Sequence, residues 1–137
     1  MQISGASAMC LTGFMDKSLL NNPAPGRFSV HELLRLFSLE LLQENQVRYE
    51  KIKNLHSRYY GEHIVELKEF IVKDRQTESH HLISSDIENI REGFLWAARC
   101  ADLDIFNDYV PGLRNYFFDN SLYREGEKLF GTAIEFL

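Results

Sequence analysis

The chain is poor in basic charge, cysteine and proline, and it has no long apolar run. Its 15 Lys and Arg stand against 20 Asp and Glu, a formal net charge of −5. That deficit argues against direct nucleic-acid binding through a cation-covered surface. Two cysteines, Cys10 and Cys100, cannot build a disulfide framework, and they fit a reducing, cytoplasmic compartment. The apolar stretches fall far short of the roughly 20 residues a membrane span requires. The opening residues, MQISGASAMC, lack a basic segment followed by continuous apolar residues, so they do not read as a signal peptide. Neither G-x-x-x-x-G-K-[ST] nor G-x-S-x-G occurs, which excludes a P-loop phosphate cradle and a serine elbow.

What is present describes a globular chain. Apolar residues make up 45% and charged residues 26% of 137 residues, enough for one domain, or one domain and part of another. The strongest turn signal is NNPAPG at residues 21–26, because Pro fixes φ and Gly26 accepts positive φ. The runs on either side, Ser18–Leu20 and Arg27–Val30, predict a small β-hairpin. Before it, Met9, Leu11, Phe14 and Met15 predict a short helix ending near Asp16.

After the hairpin the pattern is helical. Leu33, Leu34, Phe37, Leu41 and Leu42 place a helix from about His31, with a turn at Gln43–Asn45. A second helix is expected over 46–73, with Gly61 near its middle signalling a kink or a close helix crossing. Residues 74–84 are polar and aperiodic and predict a long loop, after which Ser85 or Asp86 caps a helix to about Ala101. Two more helices follow, over 105–119 and 122–136, with Pro111 predicting a kink or a later start in the first.

Two stretches carry a family resemblance. Residues 11–42, with Asp16, Ser18, Leu19, Leu20, Phe28, His31, Leu33, Leu34, Arg35 and Phe37, resemble the end of the winged-helix domain of STAND-type signalling ATPases. Bacterial members of that family include large transcriptional activators of the AfsR and LuxR type. Glu32 stands where Asp is commoner. Residues 85–137 are similar to the helical segment that follows in those proteins. Asn89, Ile90, Arg91, Phe94, Trp96 and Ala97 match its opening, and residues 56–67 resemble the linker helix between the two stretches.

The second stretch also fits one tetratricopeptide (TPR) frame. Leu113 and Phe117 fall at the large positions of its first helix, and Tyr123 falls just before its second. Gly126, Phe130 and Ala133 take the small, large and small positions of that second helix.

The expected fold is therefore mainly α: a partial winged helix with one hairpin over 1–45, a linker helix and loop over 46–84, and antiparallel helix pairs beginning a TPR-like superhelix over 85–137. The resemblance implies a non-catalytic regulatory segment whose two ends read as cuts. Its partners would be an upstream nucleotide-binding domain and downstream helical repeats, with a homodimer also possible. It implies ADP or ATP for the parent protein and no cofactor here, with His31 sensing the β-phosphate and Arg35, one turn on, supporting the anion contact. The alternatives are a free-standing TPR-like adaptor that binds a protein or peptide, and a DNA-binding winged-helix regulator.

The remaining chemistry-bearing residues have plainer readings. His80 and His81, with Glu78 and Asp86 nearby, lack a second spaced pair of metal ligands. His56 and His63, seven residues apart, read as semi-buried or surface histidines. Cys100 reads as a small buried hydrophobe. Arg48, Lys51, Lys53 and Arg58 form the one basic concentration, a solvated helix face by default. The dense aromatics from Trp96 to Phe136 are expected to fill a core, with Phe130 and Phe136 left exposed.

Overall fold

The computed structural model describes the backbone of residues 6–24, 26–72 and 76–137, and the side chains among these outside 68–80. The chain falls into two compact units, Met1–Ile52 and Lys53–Leu137. The described residues are mainly helical with one antiparallel hairpin, as the patterning requires.

In the first unit, α1 (Ala8–Asp16) starts at Ser7, whose Oγ accepts from the Cys10 N–H at 3.2 Å. It ends in a left-handed residue, Ser18, with φ 55°. The Ser18 N–H returns to the Met15 carbonyl and the Leu19 N–H to the Phe14 carbonyl, which satisfies two carbonyls of the last turn. Strands β1 (Leu20–Ala24) and β2 (Arg27–Val30) then pair, Leu20 opposite Val30 and Asn21 opposite Ser29, with a register shift before Ala24 opposite Arg27. The hairpin is therefore displaced relative to the sequence reading: its first strand runs into the Asn-Asn-Pro segment, and the irregular pairing accommodates Pro23, which has no N–H to donate. Helix α2 (Glu32–Gln43) begins directly after β2. None of this unit's described residues is buried, and Leu33 and Phe37 on α2 are among its exposed apolar side chains.

The long helix α3 (Gln46–Val72) crosses from the first unit into the second. There it joins α4 (Gln76–Arg99), α5 (Leu103–Asp119) and α6 (Tyr123–Ile134). The core is built from Ile64 and Leu67 of α3, Ile83, Ile90, Phe94 and Ala98 of α4, Tyr109, Leu113, Tyr116 and Phe117 of α5, and Leu129 and Ala133 of α6. Phe94 lies at its centre, stacked on Phe106 at 4.7 Å and edge-on to Phe130 at 5.4 Å between ring centroids. Such offset and edge-on pairs contribute beyond the area they bury.

Three expectations are corrected here. Residues 76–84 are the first turns of α4 and not a loop; 73–75 lie outside the described residues. The physical reason is Ile83, which is 1% exposed and lies four and seven residues before Ile87 and Ile90, extending the buried stripe back through the polar segment. Ser85 is consequently no cap: its Oγ donates to the His81 carbonyl at 2.8 Å within the helix. Finally, of the two readings of Pro111 the later start is excluded: α5 starts at Leu103, where Asp102 Oδ1 accepts from the Ile105 N–H at 3.3 Å, and the half-buried Pro111 lies inside it.

Candidate functional site

His31 is the N-cap of α2. Its backbone is extended, with φ −59° and ψ 137°, and its Nδ1 accepts the Leu33 N–H at 3.3 Å. A ring nitrogen that accepts carries no proton, so in the neutral ring the proton sits on Nε2. The residue is exposed. Cap geometry thus fixes which nitrogen can donate to an incoming acceptor.

Arg35 is taken up by a neighbour. Its Nε and Nη2 donate to the two oxygens of Glu32 at 2.8 and 2.7 Å, a bidentate pair on the exposed helix surface. These Arg35 hydrogen bonds hold the Glu32 carboxyl below its ordinary value. The structure therefore places His31 and Arg35 on consecutive turns, but commits the guanidinium to Glu32.

The TPR-frame residues come together in the second unit. Leu113 and Phe117 are buried on α5, and Gly126 and Ala133 are buried on α6, with Phe130 half-buried beside them. Gly126 matters through what it lacks. A Cβ there would lie 3.1 Å from Phe117 Cγ, so the Phe117 ring and α6 sit closer than a larger residue takes without the ring giving way by a few tenths of an ångström. Gly61 has the same role on α3, where a Cβ would come within 3.2 Å of Tyr109 Cε2; the close crossing expected at Gly61 is with α5. Tyr123 opens α6 and is 57% exposed, edge-on to the 66% exposed Phe118 at 5.8 Å. Among the described residues of the second unit, the uncovered aromatics are thus Phe118 and Tyr123. Phe130 packs against Phe94 and Phe117, and Phe136 lies half-buried beneath the Arg99 guanidinium at 4.5 Å.

The α3–α4 seam brings Lys53 and Trp96 together with Asn54 and Glu92, two residues to which the sequence assigns no role. Lys53 Nζ donates to Glu92 Oε2 at 3.0 Å and sits over the Trp96 ring at 5.6 Å. Trp96 Nε1 donates to Asn54 Oδ1 at 2.6 Å. Lys53 was placed among solvated basic residues, yet its side chain is 21% exposed and tied to α4. The signal that could have found this was the joint i, i+1 presence of Lys53-Asn54 on one helix and Glu92, four residues before Trp96, on the other. Its meaning depends on the crossing, which sequence spacing does not give.

Asn54, Arg58, Trp96, Cys100 and Asp102 also line an open notch of about 190 Å³. Cys100 is exposed at its edge, which overturns its reading as a buried hydrophobe: it lies at the end of α4, past the last buried positions Ala97 and Ala98. His63 Nε2 faces Asp86 Oδ2 at 3.8 Å. His81 lies 3.4 Å from Ser85 Oγ, and the side chains of Glu78 and His80 fall outside the described residues. Among the described residues, no group of three or more His, Cys, Asp or Glu could hold a metal ion, and no helix is long and apolar enough to cross a membrane.

Comparison with known protein families, characterised proteins and solved structures returns no match to this chain.

Proposed function

We propose that the chain is a non-catalytic regulatory segment of a STAND-type regulator, coupling nucleotide state in one part of the protein to a helical scaffold in another. The observation that carries this reading is His31: an exposed imidazole at the start of a helix, directly after a β-hairpin, with Nδ1 engaged and Nε2–H left as its donor. That arrangement fits an anionic oxygen such as a phosphate of ADP, because the N-terminal end of α2 favours negative charge. In this reading the nucleotide supplies the anion, and His31 supplies a directional hydrogen bond that favours one of two arrangements of the segment. The α5–α6 hairpin, with Gly126 set against Phe117, is the start of a repeat scaffold.

His31→Ser tests it, because serine keeps the cap acceptor and removes the imidazole. In the full-length protein carrying this segment, the variant should release bound ADP faster while the helical circular dichroism is unchanged. ADP release at the wild-type rate rejects the reading.

The exposed Phe118–Tyr123 pair favours a second reading, a TPR-like adaptor for a protein or peptide partner. Phe118→Ala with Tyr123→Ala should then weaken partner binding and leave ADP release unaffected. A DNA-binding role draws less support, since Arg35 and Lys53 are held by Glu32 and Glu92.

A further inference from the structure

Two histidines seven residues apart on α3 meet α4 in opposite settings. His56 is half-buried, and its Nδ1 is shielded from solvent with no hydrogen-bond partner. A neutral ring at that place leaves one weak acceptor unmet; an imidazolium puts a buried N–H there, at an atom that no hydrogen-bond partner meets in the structure. Lys53, one turn earlier, already brings a positive charge, and its ammonium holds the Glu92 carboxylate at 3.0 Å. Burial first, and then Lys53, push the His56 imidazole below its ordinary value, against the pull of the Asn89 side chain and Glu92 on α4.

His63 is the counterpart. Its Nε2 lies 3.8 Å from the Asp86 carboxylate of α4, so its charged form has an anion opposite. Tyr60 bridges the two sites, with its ring 4.8 Å from His56 and 6.3 Å from His63, and Tyr59 stacks on His63 at 6.1 Å. The seam therefore sets a solvent-shielded ring nitrogen beside Lys53 at one end and an imidazole facing a carboxylate at the other.

We propose that the α3–α4 seam is an acid-responsive joint, in which protonation of His56 parts the Lys53–Trp96 end while the His63–Asp86 end holds. The imidazolium competes with Lys53 for Glu92. Once that carboxylate is shared, the ammonium is no longer fixed over the Trp96 ring, and the half-buried indole, tied at Nε1 to the exposed Asn54, loses its cover on that side. The inference is independent of nucleotide sensing, since its residues all lie in the second unit.

Trp96 is the single tryptophan, so emission from the intact chain reports on this end of the seam alone. Titration from neutral pH to about pH 5, the range where histidines charge, should shift the emission reversibly to the red. The midpoint should lie below the ordinary histidine value of 6.5, with the helical circular dichroism unchanged. His56→Phe should abolish the shift, and His63→Gln should retain it. The proposal is overturned by an absent shift, by a wild-type shift in His56→Phe, or by helix loss with the same midpoint, which would be global unfolding. If His56→Phe does not fold, NMR titration of the wild-type protein decides. A His56 ring charging below the ordinary value together with a moving Trp96 indole resonance supports the joint; any other result overturns it.

Discussion

Tyr109 on α5 donates its phenolic hydrogen bond to the backbone carbonyl of Ser57 on α3, while the Ser57 hydroxyl donates to the Gly93 carbonyl on α4 at 2.7 Å. One small residue thus joins three helices at the centre of the second unit. All three groups are buried, so each bond replaces water that cannot enter.

Tyr109→Phe should therefore destabilise the chain by about 1–3 kcal/mol, the cost of leaving buried polar groups short of a partner. Urea denaturation followed by circular dichroism measures it. Burial pushes the Tyr109 phenol well above its ordinary value, with the Ser57 bond pulling the other way. The unfolded phenol ionises first, so stability is full below pH of about 10 and falls as pH rises above that. The Phe variant should lose less stability than wild type on going from neutral to strongly alkaline pH.

Glycines in this fold divide by what stands next to them. A Cβ at Gly93 would overlap the Tyr109 hydroxyl and lie 3.3 Å from the Ser57 backbone, so Gly93→Ala must displace the buried Tyr109 side chain or the helix that carries it. Overpacking of this kind costs about 1–3 kcal/mol. Gly131 on α6 has nothing within 4 Å of the same position, and there alanine should raise stability by up to about 1 kcal/mol through helix propensity. Equal effects at the two sites, measured by thermal unfolding, would contradict the close contact at Gly93.

Three helices end on a left-handed residue that is not glycine: Ser18, Ala101 and Ser121, with φ of 55°, 51° and 58°. After α4, the Asp102 N–H reaches the Ala97 carbonyl at 3.0 Å; after α5, the Leu122 N–H reaches the Phe117 carbonyl at 2.8 Å. A side chain in this conformation costs roughly 1–2 kcal/mol, part of which glycine returns to the more flexible unfolded chain. Ala101→Gly and Ser121→Gly should each raise stability by about 0.5–1 kcal/mol. A loss in either variant would show that the methyl or hydroxymethyl group makes a contact that outweighs the strain.

Cys10 and Cys100 are both exposed. Under native conditions a thiol reagent should titrate two equivalents without a slow phase. A second equivalent that reacts only after denaturation would place Cys100 back in the interior.

The helix start at His31, the short helix before the hairpin, the spans of α2 and α3 and the close crossing at Gly61 were all legible in the chain, because each is a local signal: a turn, a cap or an apolar period. The first turns of α4 were not. Their polar side chains carry no local helix signal, and they are held by Ile83 in the core and by Ser84, whose Oγ meets the Tyr116 hydroxyl at 3.0 Å. Cys100 was misread for a related reason: apolar neighbours in sequence do not say on which side of a helix end a side chain falls.

By itself the sequence determined that the chain is mainly helical and that one hairpin precedes the long helices, since periodicity and Pro/Gly placement act within a few residues. It also determined the helix start at His31. Only the tertiary structure decided that Ser57 links three helices, that Lys53 of α3 meets Glu92 and Trp96 of α4, and that His56 is shielded where His63 meets a carboxylate. Those properties arise where helices cross, and a crossing joins residues tens of positions apart that no local pattern connects.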